Sequence, residues 1–309
     1  MSSQAMNSRA RSSKAKLTLG PVLYNWPAEQ RRDFYFQIAD EAPVDVVYIG
    51  EVTCSKRAPF LMPFIPEICD RLEQAGKEVV ISTLSLVMSN RERKEQHELV
   101  QDSPWALEAN DLSAIGLLKR REHIVGPFVN VYNEDTLDYF YENGAQRIVL
   151  PCELSGKAIE RLLSSNKGRE IEIQAFGRVP LALSARCYHA RSHGLSKDGC
   201  LYVCEQDPDG MNVETLDGEA FLAVNGTQTM SHTVNNLLGE INDLSKLGAT
   251  HFRLWPQQVD MVRVIEIYRA QLDGAIAYDA GQETLSELVD FAPFSNGFYH
   301  GVEGNRLVE

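Results

Sequence analysis

VVYIGEVTCSKRAPFLMPFIPEICDRLEQAGKEVVIST, residues 46–83, contains one complete strand, loop, helix and strand. Val46–Gly50 is a short apolar run closed by glycine, and Glu78–Thr83 is a second. Between them a helix begins near Pro66, places Ile68, Leu72 and Ala75 on one stripe and stops at Gly76. Proline inside the start and glycine past the end match the free N–H groups and the left-handed exit of a helix. The unit predicts two parallel strands joined by a helix.

The same rhythm extends outward in both directions. Further strands are predicted at KLTLGPVL from Lys16, WALEA from Trp105, HIVGPFVNV from His123, RIVL from Arg147, EIEIQAF from Glu170 and HFRLW from His251. A helix after Asn133 carries Leu137, Phe140 and Tyr141 and ends at Gly144, so cap, apolar face and terminator agree. Eight strands alternating with helices over about 250 residues fit a (β/α)8 TIM-like barrel, whose closure leaves no exposed sheet edge. An open doubly wound sheet is the alternative. The interval 177–250 is too long for an ordinary connection and holds turn signals at Pro208, Leu216 and Asn225, which predicts an inserted small β element between the seventh and eighth strands. Residues 1–15, rich in serine and basic without an acid, read as a disordered tail, and 16–309 as a single barrel domain.

With 30 basic against 43 acidic residues the net charge is −13, which disfavours a broad nucleic-acid-binding surface. No apolar run approaches the roughly 20 residues needed to span a bilayer, and the N-terminal stretch lacks a secretory apolar segment. The expected location is cytoplasmic, a reducing setting in which clustered thiols bind metal or do redox chemistry more often than they form disulfides.

Of six cysteines, Cys187, Cys200 and Cys204 lie close together in sequence, and Cys54 follows the second strand. In a barrel the loops after the second and seventh strands open on the same face, where active sites gather. Four thiolates there suit either zinc or an iron–sulfur cluster; zinc sites more often show two close Cys pairs, whereas this spacing is Cys-x12-Cys-x3-Cys with a remote fourth. Ordinary buried thiols are the plain alternative. His189 and His193 read as bystanders and Cys69 as core, sharing the stripe of Ile68 and Leu72. On the same face stand Glu51 and Glu153, each an acid or base if burial raises its pKa, and Arg186, whose fork suits a carboxylate or a reduced cluster. For all three, an ion pair or a cap is the ordinary role. Lys56 and Arg57 read as solvated loop charge, or as counter-charge to a cluster.

LGPVLYNWP, YIGEVTCSKR, PCELS, VPLALSARCYHARS and NGTQTMS, in that order, resemble the UbiV-like members of the collagenase-like peptidase (U32) superfamily. The resemblance implies a 4Fe-4S cluster held by Cys54, Cys187, Cys200 and Cys204. It implies a heterodimer with a UbiU-like protein in the anaerobic, oxygen-independent hydroxylation of a ubiquinone precursor, with a UbiT-like lipid-binding protein nearby and prephenate as an oxygen source. Whether this chain is itself the enzyme or a non-catalytic electron-transfer or scaffold subunit is left open. Peptide hydrolysis is disfavoured, since no G-x-S-x-G elbow or HExxH helix occurs.

Overall fold

The computed structural model describes residues 15–308, so the predicted tail lies almost wholly outside the described residues. Twelve strands follow in chain order: β1 Lys16–Leu19, β2 Val46–Ile49, β3 Glu78–Ser82, β4 Ala106–Ala109, β5 His123–Val125, β6 Ala145–Val149, β7 Glu170–Leu183, β8 Met211–Glu214, β9 Ala220–Asn225, β10 Gln228–Asn236, β11 His251–Leu254 and β12 Phe294–Ser295. β1 through β7 pair in sequence order, all parallel, and β11 lies between β7 and β1. The sheet therefore closes into an eight-stranded parallel barrel with helices between the strands, and the open sheet is excluded. Among the described residues no helix is long and apolar enough to cross a membrane.

Alternation along each strand divides the core into two layers. Leu17, Leu19, Val47, Ile49, Ile171, Ile173, Phe252 and Leu254 face the helices and join one continuous apolar cluster. Val46, Tyr48, Val80, Ile124 and Val149 form a second cluster inside the barrel. The interior also holds charge: Glu172 accepts from Thr18 Oγ1, Tyr48 Oη and Arg253 Nε, each at 2.6 Å, and Arg253 Nη1 lies 2.7 Å from Glu108 Oε1. Burial alone would raise the Glu172 carboxyl, but Arg253 and Arg147 carry it down to about 2.

Several strands are shorter than the apolar runs predicted. β1 ends at Leu19 because Gly20 packs against the Trp255 ring and Pro21 has no N–H for a ladder. β5 ends at Val125, where Gly126 and Pro127 turn the chain into a single 3-10 turn, Pro127–Val129. The helix expected near Pro66 spans Ile65–Gln74, after a helical turn at Ala58–Leu61. The helix after Asn133 spans Glu134–Glu142, with Asn133 Oδ1 accepting from Thr136 N at 2.9 Å.

β7 is the strand that builds the site. Its first half lies in the barrel between β6 and β11; its second half leaves the barrel and pairs antiparallel with β10. The bend falls at Gly177, whose φ is +112° and whose absent Cβ would stand 2.6 Å from Trp255 Cβ. Only glycine meets both conditions. β8, β9 and β10 form an antiparallel extension beyond the barrel end, over the loop that follows β2.

Candidate metal-binding site

The loop after β2 starts at Gly50, where φ is +137° and a Cβ would strike Ser82 O at 2.5 Å. Glu51 then organises it. Its Oε1 accepts from Thr53 N at 3.1 Å and Cys54 N at 3.0 Å, while Oε2 pairs with Arg31 Nη1 at 3.2 Å, both side chains being buried. Arg31 in turn donates to Val22 O and Gly50 O. The carboxylate thus holds Cys54 in place through the backbone of its own loop.

The second wall comes from the chain after β7. Cys187 caps the short helix Tyr188–Ser192, its sulfur accepting from Ala190 N at 3.4 Å. Cys204 lies in the turn Val203–Gln206, entered through Leu201 and Tyr202, both with positive φ. Side chains tie the two walls together across the sequence. Thr227 Oγ1 donates to Thr53 O at 2.9 Å, and Lys56 Nζ donates to Lys197 O and Asp198 O, each at 2.8 Å.

Between the walls, Cys54, Cys187, Cys200 and Cys204 line one small cavity with Lys56, Arg57, His189 and Tyr202. Among the described residues, no three His, Cys, Asp or Glu side chains are grouped to hold a single metal ion. Burial pushes the Cys54 and Cys187 thiols up, against the pull of the nearby Arg57 charge. Arg57 is 1% exposed, with Nη1 donating to Leu23 O at 2.9 Å and Nη2 to Asn225 Oδ1 at 3.1 Å. Its charge acts on both Cys54 and Cys204. Burial lowers the His189 pKa in spite of Asp207, which lies 2.8 Å from its Nε2. The donor set is four sulfurs beside a buried cation. Deprotonated, these sulfurs would suit a soft metal, thiolates being soft ligands, with the Arg57 guanidinium as a nearby counter-charge.

A sequence-family model for peptidase family U32 matches residues 32–309. The chain belongs to peptidase family U32. Solved structures of similar course are more distant. A chain assigned as a fructose-1,6-biphosphate aldolase from Coccidioides immitis is 10% identical, with 92% of each chain covered and a TM-score of 0.43. A tryptophan synthase complex chain from Pyrococcus furiosus is 10% identical over 89% of this chain and 98% of that one, with a TM-score of 0.42. An uncharacterized protein from Clostridium thermocellum, which binds two copies of 5-methyl-5,6,7,8-tetrahydrofolic acid, is 12% identical over 87% and 96%, with a TM-score of 0.40.

The remaining candidates in this U32 chain lie outside the cysteine cavity. Glu153 is exposed, accepts from Tyr132 Oη and, at 3.4 Å, from Cys152 Sγ, and lines a separate cavity of about 220 Å3. Arg186 is exposed, and its backbone N–H donates to Ser184 Oγ. Cys69 is buried, its thiol pushed up to about 12 by burial and then by Glu73 and Asp70. Arg57 corrects its sequence reading as solvated loop charge, because the loop folds beneath the β9–β10 turn and takes the side chain inside. Its partner Asn225 was not foreseen, for the two are 168 residues apart and no local pattern links them.

Proposed function

We propose that this chain is a UbiV-like iron–sulfur subunit of an oxygen-independent hydroxylation system for ubiquinone precursors, paired with a UbiU-like protein in the cytoplasm. The supporting observation is the convergence of Cys54 with Cys187, Cys200 and Cys204 on one cavity that also contains the buried Arg57. A UbiT-like lipid-binding protein and prephenate as oxygen source belong to the same reading, by family analogy.

In this reading the four thiolates hold a 4Fe-4S cluster, which supplies one-electron exchange when bound. Arg57 offsets its negative charge. Glu51 is a positioning group for Cys54, and the Lys56 ammonium keeps the loop containing Lys197 and Asp198 against the Cys54 loop.

One observation favours electron transfer by this subunit, with the substrate held by its partner. Glu51 is committed to Arg31 and to backbone N–H groups, while Glu153 and Arg186 do not line the cysteine cavity, so none of the three is presented there as an acid, base or carboxylate clamp.

The deciding experiment is anaerobic purification with quantification of iron, acid-labile sulfide and zinc, alongside Cys200→Ala. Iron and sulfide near four each per chain, lost in the variant, support the reading; stoichiometric zinc without sulfide overturns it. Reconstituting the pair with each cluster removed in turn, and measuring hydroxylated precursor and substrate binding, then separates an enzyme subunit from a scaffold.

A further inference from the structure

The loops after β5 and β6 and the half of β7 that leaves the barrel border a cavity of about 220 Å3 at the barrel mouth, and it shares no lining residue with the cysteine cavity. Pro127, Phe128, Pro151, Pro180, Leu181 and Leu183 give it apolar walls. Barrel enzymes bind their substrates at this end. A volume below the roughly 300–1,000 Å3 of drug-sized sites suits a small molecule.

Its polar groups decide which kind. Glu153 is exposed and is the one charged side chain among the described residues that line the cavity. Its carboxylate accepts from Tyr132 Oη and, at 3.4 Å, from Cys152 Sγ, two donors that carry no positive charge. Burial, and then Glu153, pushes the Tyr132 phenol and the Cys152 thiol up, which favours the protonated forms that donate. Gln174 is committed elsewhere, its Oε1 accepting from Trp255 Nε1 at 2.9 Å and its Nε2 donating to Leu150 O at 2.8 Å. An anion entering the cavity meets like charge. A cation gains a charge-assisted hydrogen bond to Glu153, with the Phe128 and Tyr132 rings among the walls.

We propose that this cavity binds a small primary ammonium ion with a hydrocarbon body, the ammonium on Glu153 and the body against Phe128, Pro180 and Leu181. The site does not depend on what the cysteines hold, and it is separate from the electron-transfer role proposed for them.

The test titrates benzylamine, benzyl alcohol, benzoate and methylammonium by calorimetry, near neutral pH, into the purified full-length chain, metal-free and after anaerobic reconstitution. The expected result is saturable benzylamine binding in both forms and no detectable benzoate binding. Benzyl alcohol and methylammonium, which lack the charge and the hydrocarbon body respectively, bind about tenfold more weakly or worse. Glu153→Gln weakens benzylamine about tenfold, the equivalent of one charge-assisted hydrogen bond, and leaves the alcohol within about twofold. Ala182→Trp, which fills the cavity, abolishes the binding of both. Circular dichroism checks that the variants fold; if Ala182→Trp does not, Leu181→Trp, at an exposed position, plugs the same space. Absence of saturable benzylamine binding, methylammonium or benzoate binding as tightly as benzylamine, or full benzylamine binding by folded Glu153→Gln or by a folded plugged variant overturns the proposal.

Discussion

Arg57 and Asn225, 168 residues apart, meet with Nη2 3.1 Å from Oδ1, the guanidinium buried beside the cysteine cavity. This contact joins the loop after β2 to the β9–β10 turn, so the cation beside the cysteine cavity also fastens the two walls. Truncating it leaves Asn225 Oδ1 without the Arg57 donor, while Leu23 O keeps Thr53 Oγ1 and Asn225 Nδ2.

Arg57→Gln is expected to lower stability by about 1–3 kcal/mol in urea unfolding of the metal-free protein. It is also expected to reduce the iron and sulfide retained after anaerobic reconstitution. Unchanged stability together with unchanged retention would contradict both roles.

Glu51 distinguishes a brace from a chemical group. Its substitution by Gln leaves the buried Arg31 without a counter-charge, and breaking one partner of such a pair costs about 3–5 kcal/mol. Glu153→Gln, at an exposed position, is expected to stay within about 0.5 kcal/mol. Chemical denaturation of both variants checks this. A fully stable Glu51→Gln protein that had lost only activity would return Glu51 to an acid–base role.

Much of this fold is legible in sequence because parallel strands buried on both faces read as apolar runs, as VVYIG and EVVIS do. EIEIQAF and HFRLW were placed for the same reason, yet their polar residues face inward, where Glu172 and Arg253 neutralise each other. Alternation alone would send those charges to solvent, and the closed barrel reverses the assignment. The cysteine site divides in the same way. Its sulfurs are legible from residue type and loop position, since β2 and the barrel half of β7 end on one barrel face. The groups that fix its shape, Arg57 with Asn225 and Lys56 with the backbone at Lys197, depend on contacts more than 140 residues apart.

The Glu172 carboxyl is held at about 2, against 4.5 ordinarily, so its contribution has a defined pH window. A folded-state value below the unfolded one means that the stabilisation is complete above about pH 4.5 and disappears as the pH falls towards 2. At about 1.4 kcal/mol per unit, the loss is on the order of 3 kcal/mol. Urea midpoints measured from pH 7 to pH 3 should fall below about pH 4.5, and the fall should be smaller in Glu172→Gln. Equal pH dependence in the two proteins would remove Glu172 as the source.

Gly177 is where β7 leaves the barrel and begins the extension towards Cys187. At φ +112° a side chain is strained, and here a Cβ also meets Trp255 Cβ at 2.6 Å. The left-handed conformation alone costs about 1–2 kcal/mol for a non-glycine residue, and the collision adds to it because Trp255 is 2% exposed and cannot swing away. Gly177→Ala is therefore expected to cost more than Gly76→Ala, where φ is +76° and nothing lies within 4 Å of the new methyl. Thermal melts of the two variants make the comparison. If the bend is what aligns the two walls, Gly177→Ala will also lose iron and sulfide while Gly76→Ala retains them; equal retention would show that the tie through Arg57 and Asn225 suffices to align them.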